Sequence, residues 1–149
     1  MKLGRIAGLV LLAACSSATQ RGGGPATGAA AAQLATQQFL LAANAGDIQA
    51  MSTQWGTKDG PARDTMDHSQ LEKRLAILAC YFKHDSSRIV GEAAGQGGRR
   101  DVRVELKKGN LVRQTTFYTI KGPADRWYVE NMDIASVRDF CGNGGSTGR

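Results

Sequence analysis

The chain has 149 residues, 42% of them hydrophobic and 21% charged, with a formal charge of +6. That composition sizes one ordinary globular domain plus extensions and excludes a second core of comparable size. At the start, Lys2 and Arg5 precede a small, apolar run over 6–14 that ends Leu12-Ala13-Ala14-Cys15. This is the layout of a signal peptide over 1–14, too short to span a bilayer as a helix of about 20 residues.

Leu12-Ala13-Ala14-Cys15 also resembles the lipobox of bacterial lipoproteins. The resemblance implies a diacylglyceryl group on the Cys15 thiol, removal of 1–14, and acylation of the new amino terminus, with palmitate as a typical chain. Each buried CH₂ contributes about 0.8 kcal/mol, so one chain anchors marginally and two or three anchor durably. Ser16, where an aspartate would favour the inner membrane, points to an outer-membrane lipoprotein facing the periplasm in a two-membrane host. A soluble exported protein with an incidental Cys15 is the alternative, because ordinary secretory cleavage also accepts small residues.

Ser, Thr, Gly, Pro and Ala dominate the following stretch, which predicts a flexible tether over 15–32, since little apolar surface is available to offset ordering entropy. The end of the chain, 142–149, has four glycines among eight residues and reads as a disordered tail. The folded unit is therefore expected over 33–141.

Within it helices come first and strands follow, the order of an α+β fold with an antiparallel sheet. The first helix is expected over 33–45, with Leu34, Gln38, Leu41 and Ala45 stepping along one face and Gly46 ending it. Asp47 can cap a second, short helix in which Ile48, Met51, Ser52 and Trp55 form the buried stripe. Residues 56–63, with Gly60-Pro61 inside, read as a loop. Asp67 and Gln70 have capping-box spacing before a third helix with Leu71, Leu75, Leu78 and Phe82 inward.

The period then changes to two. A strand is expected over 88–94, with 95–98 as a hairpin connection. Val102, Val104 and Leu106 alternate with Asp101, Arg103, Glu105 and Lys107, a strand with one wet face. Lys108-Gly109-Asn110 turns the chain into a strand over 111–120, and Gly122-Pro123-Ala124-Asp125 turns it into a last one over 126–134.

The run from Phe39 to Met51, with its small residues and Gly46-Asp47 corner, and the late Arg126-Trp127-Tyr128-Val129 with Met132 and Ile134, resemble nuclear transport factor two-like proteins. Among these, small exported lipoproteins of unknown function are the nearest in appearance. The resemblance implies N-terminal helices packed on a curved antiparallel sheet, a cone with a partly apolar mouth. Members of that superfamily either isomerise, dehydrate or cyclise small molecules with an Asp or His in the cone, or only bind ligands and partners. Fold alone does not choose between them. An Asp or His aimed into a closed, hydrated cavity favours an enzyme; an interior filled by Trp55, Phe117 and similar side chains favours an interaction module.

Candidate acids and bases are Asp47, Asp64, Asp67, His68, His84 and Asp85. Each has a structural alternative: Asp47 and Asp67 as caps, His68 as a solvated first-turn residue, His84 at a helix's negative end. The two histidines lack metal-ligand spacing, and the glycines near 91–98 lack the Lys-Ser/Thr of a phosphate loop, so no metal or cofactor is expected.

Removing Lys2 and Arg5 leaves 17 basic against 13 acidic residues, a formal +4. Arg99, Arg100, Arg103, Lys107, Lys108 and Arg113 cluster on two successive strands and their turn, either as a solvated face or as a contact surface for anionic lipid, lipopolysaccharide or glycan. No aromatic residues interleave them, and the compartment is wrong for nucleic acid. Trp55 and Trp127 are expected in the core. With Cys15 committed to lipid, Cys80 and Cys141 remain as a disulfide pair in an oxidising compartment. Cys80 lies about 200° around the helix from Leu78, turned away from the buried stripe. These readings converge on a lipid-anchored envelope protein that binds a small apolar ligand or an envelope protein, with an isomerase or cyclase as the alternative.

Overall fold

The computed structural model describes residues 26–142. Three helices, α1 (Ala32–Ala45), α2 (Ile48–Gln54) and α3 (His68–Tyr81), precede a curved four-stranded antiparallel sheet of β3 (Ser86–Ala94), β4 (Arg100–Lys108), β5 (Leu111–Lys121) and β6 (Trp127–Met132) in that spatial order. Between α2 and α3, the expected loop contains a minimal hairpin of β1 (Gly56–Thr57) and β2 (Gly60–Pro61) and a 3₁₀ turn, Ala62–Asp64. The fold is α+β, with the helices packed on the sheet and, among the described residues, no closed barrel.

The strands follow the two-residue period. Val102, Val104 and Leu106 are buried, while the alternate residues Arg103 and Lys107 are exposed and Glu105 is half-buried. Register shifts lie between Ile89 and Gly91 on β3 and between Tyr118 and Thr119 on β5. Such bulges increase local twist and bend the sheet.

Asp47 and Asp67 cap α2 and α3 as expected, although among the described residues no bond returns from the Gln70 side chain to complete a capping box. Asp47 accepts from the Ala50 amide at 2.9 Å and Asp67 from the Gln70 amide at 3.0 Å, each satisfying an otherwise orphaned helix donor. Gly46 ends α1 at φ 69°, a left-handed conformation that glycine adopts without a Cβ penalty. Along α3, Leu71, Leu75 and Leu78 are buried and Phe82 is enclosed at the cap.

The expected face of α1 is corrected. Leu34 and Leu41 point to solvent, Leu41 with 71% exposure, and Ala45 is also exposed. The buried face is Ala32, Ala35, Thr36, Phe39, Leu40 and Ala43, roughly 150° around the helix. Alanines let the helix approach the sheet closely enough to insert Phe39. The Thr36 hydroxyl donates to the Ala32 carbonyl, so its burial leaves no unpaired donor.

The boundary of the tether is corrected as well. Ala29 is fully buried and pairs with Trp127 through backbone bonds in both directions, at 2.8 and 2.7 Å. Arg126 donates to the carbonyls of Thr27 and Gly28. Gly28 has φ 63°, and a Cβ there would stand 2.8 Å from the Trp127 carbonyl oxygen and 2.9 Å from the Tyr128 ring. A stretch poor in large side chains is thus ordered by backbone pairing and one arginine, so the expected tether over 15–32 cannot extend to residue 32.

Cys80 and Cys141 form a disulfide, with Cα atoms 5.2 Å apart and a sequence separation of 61. It ties exposed Cys80 on α3 to the end of the 3₁₀ segment Ala135–Phe140, whose Val137 and Phe140 are buried. Closing a loop of that length is worth about 4 kcal/mol by the chain-entropy estimate. Replacing both cysteines by alanine should lower the unfolding free energy in urea by about 2–4 kcal/mol without reductant; equal midpoints for the two proteins would remove the bond from the stability of the fold.

Candidate functional site

The space between helices and sheet is filled. Phe39 from α1, Phe82 after α3 and Phe117 from β5 are each fully buried, with ring centroids 5.0–6.3 Å apart in edge and tilted arrangements. Met51, Leu71, Leu75 and Val129 are buried in the same cluster. Phe117 therefore occupies the interior as expected, whereas Trp55 does not. Trp55 follows α2 in extended conformation, bridges Val129 in parallel, and is only partly buried. Trp127 is likewise partly buried, with the Lys121 ammonium 5.4 Å from its ring centroid. Both tryptophans pack against the core rather than forming its centre, because each lies at the β6 margin of the sheet.

The candidate acids and bases do not converge. Asp47 and Asp67 cap separate helices, while Asp64 and His68 are exposed. The Asp85 carboxylate accepts from the Gly109 amide at 2.7 Å, fastening the end of α3 to the β4–β5 turn. His84 is buried, with Nδ1 2.7 Å from the Phe82 carbonyl oxygen and its backbone amide donating to the Asn44 side chain. Among the described residues no Asp or Glu is buried. Among the described residues one buried side-chain polar atom lacks a partner, Gln54 Oε1.

The basic residues are divided rather than pooled. Strand alternation places Arg99, Arg103 and Lys107 toward the outer face and Arg100, Lys108 and Arg113 toward the helix side or its ends. Arg99 pairs with Glu130, Arg100 with Glu92 and Arg113 with Asp139. Lys108 donates to the Phe140 carbonyl and lies 5.9 Å from that ring's centroid. Arg103 extends across Gly91 on the neighbouring strand, and Lys107 is exposed. Arg88, outside the expected cluster, joins this face through Glu105 at 2.9 Å.

A groove of about 280 Å³ lies where α3 meets the margin of β6, lined by Trp55, Arg74, Ile77, Leu78, Met132 and Ile134, with Asn131 at its edge. The Trp55 indole N–H donates to the Glu130 carbonyl at 3.3 Å and so fixes its wall. Sequence reading did not assemble this site, since its residues come from three distant segments. Two signals were present: Ile77 is an apolar residue off the Leu71-Leu75-Leu78 stripe, and Arg74 has no acidic residue three or four positions away.

Comparisons with protein-family models, with curated proteins and with solved structures find no match.

On the outer face, the Arg88 guanidinium and then the Gln114 amide hold the Glu105 carboxyl below its ordinary range. A depressed folded value means that the pair stabilises the fold above the unfolded carboxylate pKa, about 4.3, and is lost as pH falls through the folded value. Exposure keeps this contribution small. Arg88→Ala should raise the Glu105 pKa toward its ordinary value in an NMR titration; an unchanged midpoint would remove Arg88 as the cause.

Proposed function

We propose that this protein is a lipid-anchored component of the bacterial envelope, held through Cys15 and working as a small binding or interaction module with a nuclear transport factor two-like cone. The interior carries this reading: Phe39, Phe82 and Phe117 occupy the space in which the isomerase or cyclase alternative needs a hydrated cavity and an aimed acid or base. His84, the buried candidate base, already has a backbone partner. The Cys80–Cys141 bond supports an oxidising compartment, as an exported domain requires.

The signal peptide over 1–14 and Cys15 lie outside the described residues, as do 143–149, so the anchor rests on the lipobox resemblance. No helix among the described residues is long and apolar enough to cross a membrane. The partners that fit are the membrane through the anchor, and an envelope protein or a small apolar ligand. An outer-membrane position facing the periplasm follows from Ser16 if the host has two membranes. The outer-face cations Arg103 and Lys107 add a secondary attraction for anionic lipid or glycan, screened within about 10 Å at 0.1 M salt.

Metabolic labelling with a fatty-acid analogue should mark the wild-type chain and leave Cys15→Ala unmarked. Native mass spectrometry of protein released from its own membrane should then find an acylated chain with a retained ligand or partner. Equal labelling of the two chains would sink the anchor, and an acylated chain that turns over a small molecule would sink the binding role.

A further inference from the structure

The groove between α3 and the β6 margin has the composition of a ligand site, a mostly apolar wall with a few polar groups that all present donors. Trp55, Ile77, Leu78, Met132 and Ile134 supply the wall, and Ile77 remains 57% exposed, unusual for an isoleucine on a helix with a well-formed buried stripe. Arg74 has no ion pair or hydrogen bond among the described residues, and positions 70, 71, 77 and 78 on its own helix offer no acid. The Asn131 side-chain oxygen is already occupied, accepting from the Met132 amide at 2.8 Å. Its NH₂ group is the end left over, with no acceptor among the described residues. Two exposed donors without a protein partner among the described residues, one of them a permanent cation, thus border an apolar trough.

We infer that this groove binds an amphiphilic monocarboxylate, with a short acyl or similarly sized apolar body along Trp55, Ile77 and Met132 and its carboxylate received by Arg74 and Asn131. A guanidinium matches a carboxylate better than any neutral head group, because both N–H donors of its fork can be used at once. The volume, about 280 Å³, stands at the small end of ligand cavities, which run roughly 300–1,000 Å³, and so limits the apolar body to a medium-length chain. Trp55 is held in place by Glu130 before any ligand arrives, so the wall needs no reordering. This assignment rests on the binding-module reading and gives it a ligand chemistry; it uses the groove and not the filled interior.

The probe is octanoate, with 1-octanol as its uncharged counterpart, added to the full chain carrying Cys15→Ser so that no attached acyl chain competes. Octanoate should shift the Trp55 indole N–H resonance saturably, and 1-octanol should bind about tenfold more weakly, the factor expected for hydrogen bonding to a charged group. Arg74→Gln should bring octanoate to the affinity of octanol while leaving the melting temperature unchanged, since Arg74 holds no partner in the fold. Ile77→Ser should weaken both probes together. Equal binding of the two probes to wild type, an Arg74→Gln chain that binds octanoate normally, or an indole signal that never moves would each overturn the assignment. If octanoate fails while material from the membrane still carries a bound partner that Arg74→Gln loses, the groove belongs to a peptide and only this inference falls. If membrane material carries nothing, the binding-module reading falls separately.

Discussion

The contact among Phe39, Phe82 and Phe117 is the constraint on which the remaining structure depends. It is the place where the first helix, the end of the third and the central strand β5 meet, and each ring is without solvent contact. Truncating a buried phenylalanine generally costs 3–5 kcal/mol, a large share of the 5–15 kcal/mol that stabilises an ordinary domain. The sheet curves around these rings, and the rings keep the concavity dry. What the fold offers to other molecules is consequently displaced from its centre to its margins.

Those margins are held by backbone and polar contacts rather than by bulk. The segment at Thr27–Ala29 has almost no apolar surface to contribute, yet it is fixed against Trp127 by paired amides and by Arg126. At the opposite end, the 3₁₀ segment after β6 is secured by the disulfide, by Lys108 on the Phe140 carbonyl and by Arg113 with Asp139. The two margins thus use different ties, backbone pairing for the segment before α1 and a covalent bond for the segment after β6.

The sequence was legible wherever one period dominated. Leu71, Leu75, Leu78 and Phe82 could only be one face of a helix, and Val102, Val104 and Leu106 only one face of a strand. The cysteine pair followed from elimination and helix geometry. The first helix misled because hydropathy ranks leucine above alanine, whereas a helix that must come close to a sheet selects small side chains around one large ring. Residues 26–31 were read as tether because their order comes from Trp127 and Arg126, a hundred residues away. The groove was invisible for the same reason: Trp55, Ile77 and Met132 signal nothing singly, and alternation also scattered the basic residues that linear proximity had grouped.

The two margins of the sheet differ in how they would meet another strand. Along β6 the backbone is already engaged, by Ala29, by the bridge from Trp55 to Val129, by the Trp55 indole on Glu130, and by Asn131 over Met132. Along β3 no such cover exists among the described residues, but the register breaks between Ile89 and Gly91, and Arg103 lies across the gap. An incoming strand would find two short runs that cannot be matched together in one register. Edge-to-edge pairing between copies of this domain is therefore opposed by different devices at the two margins, occupancy along β6 and broken register along β3.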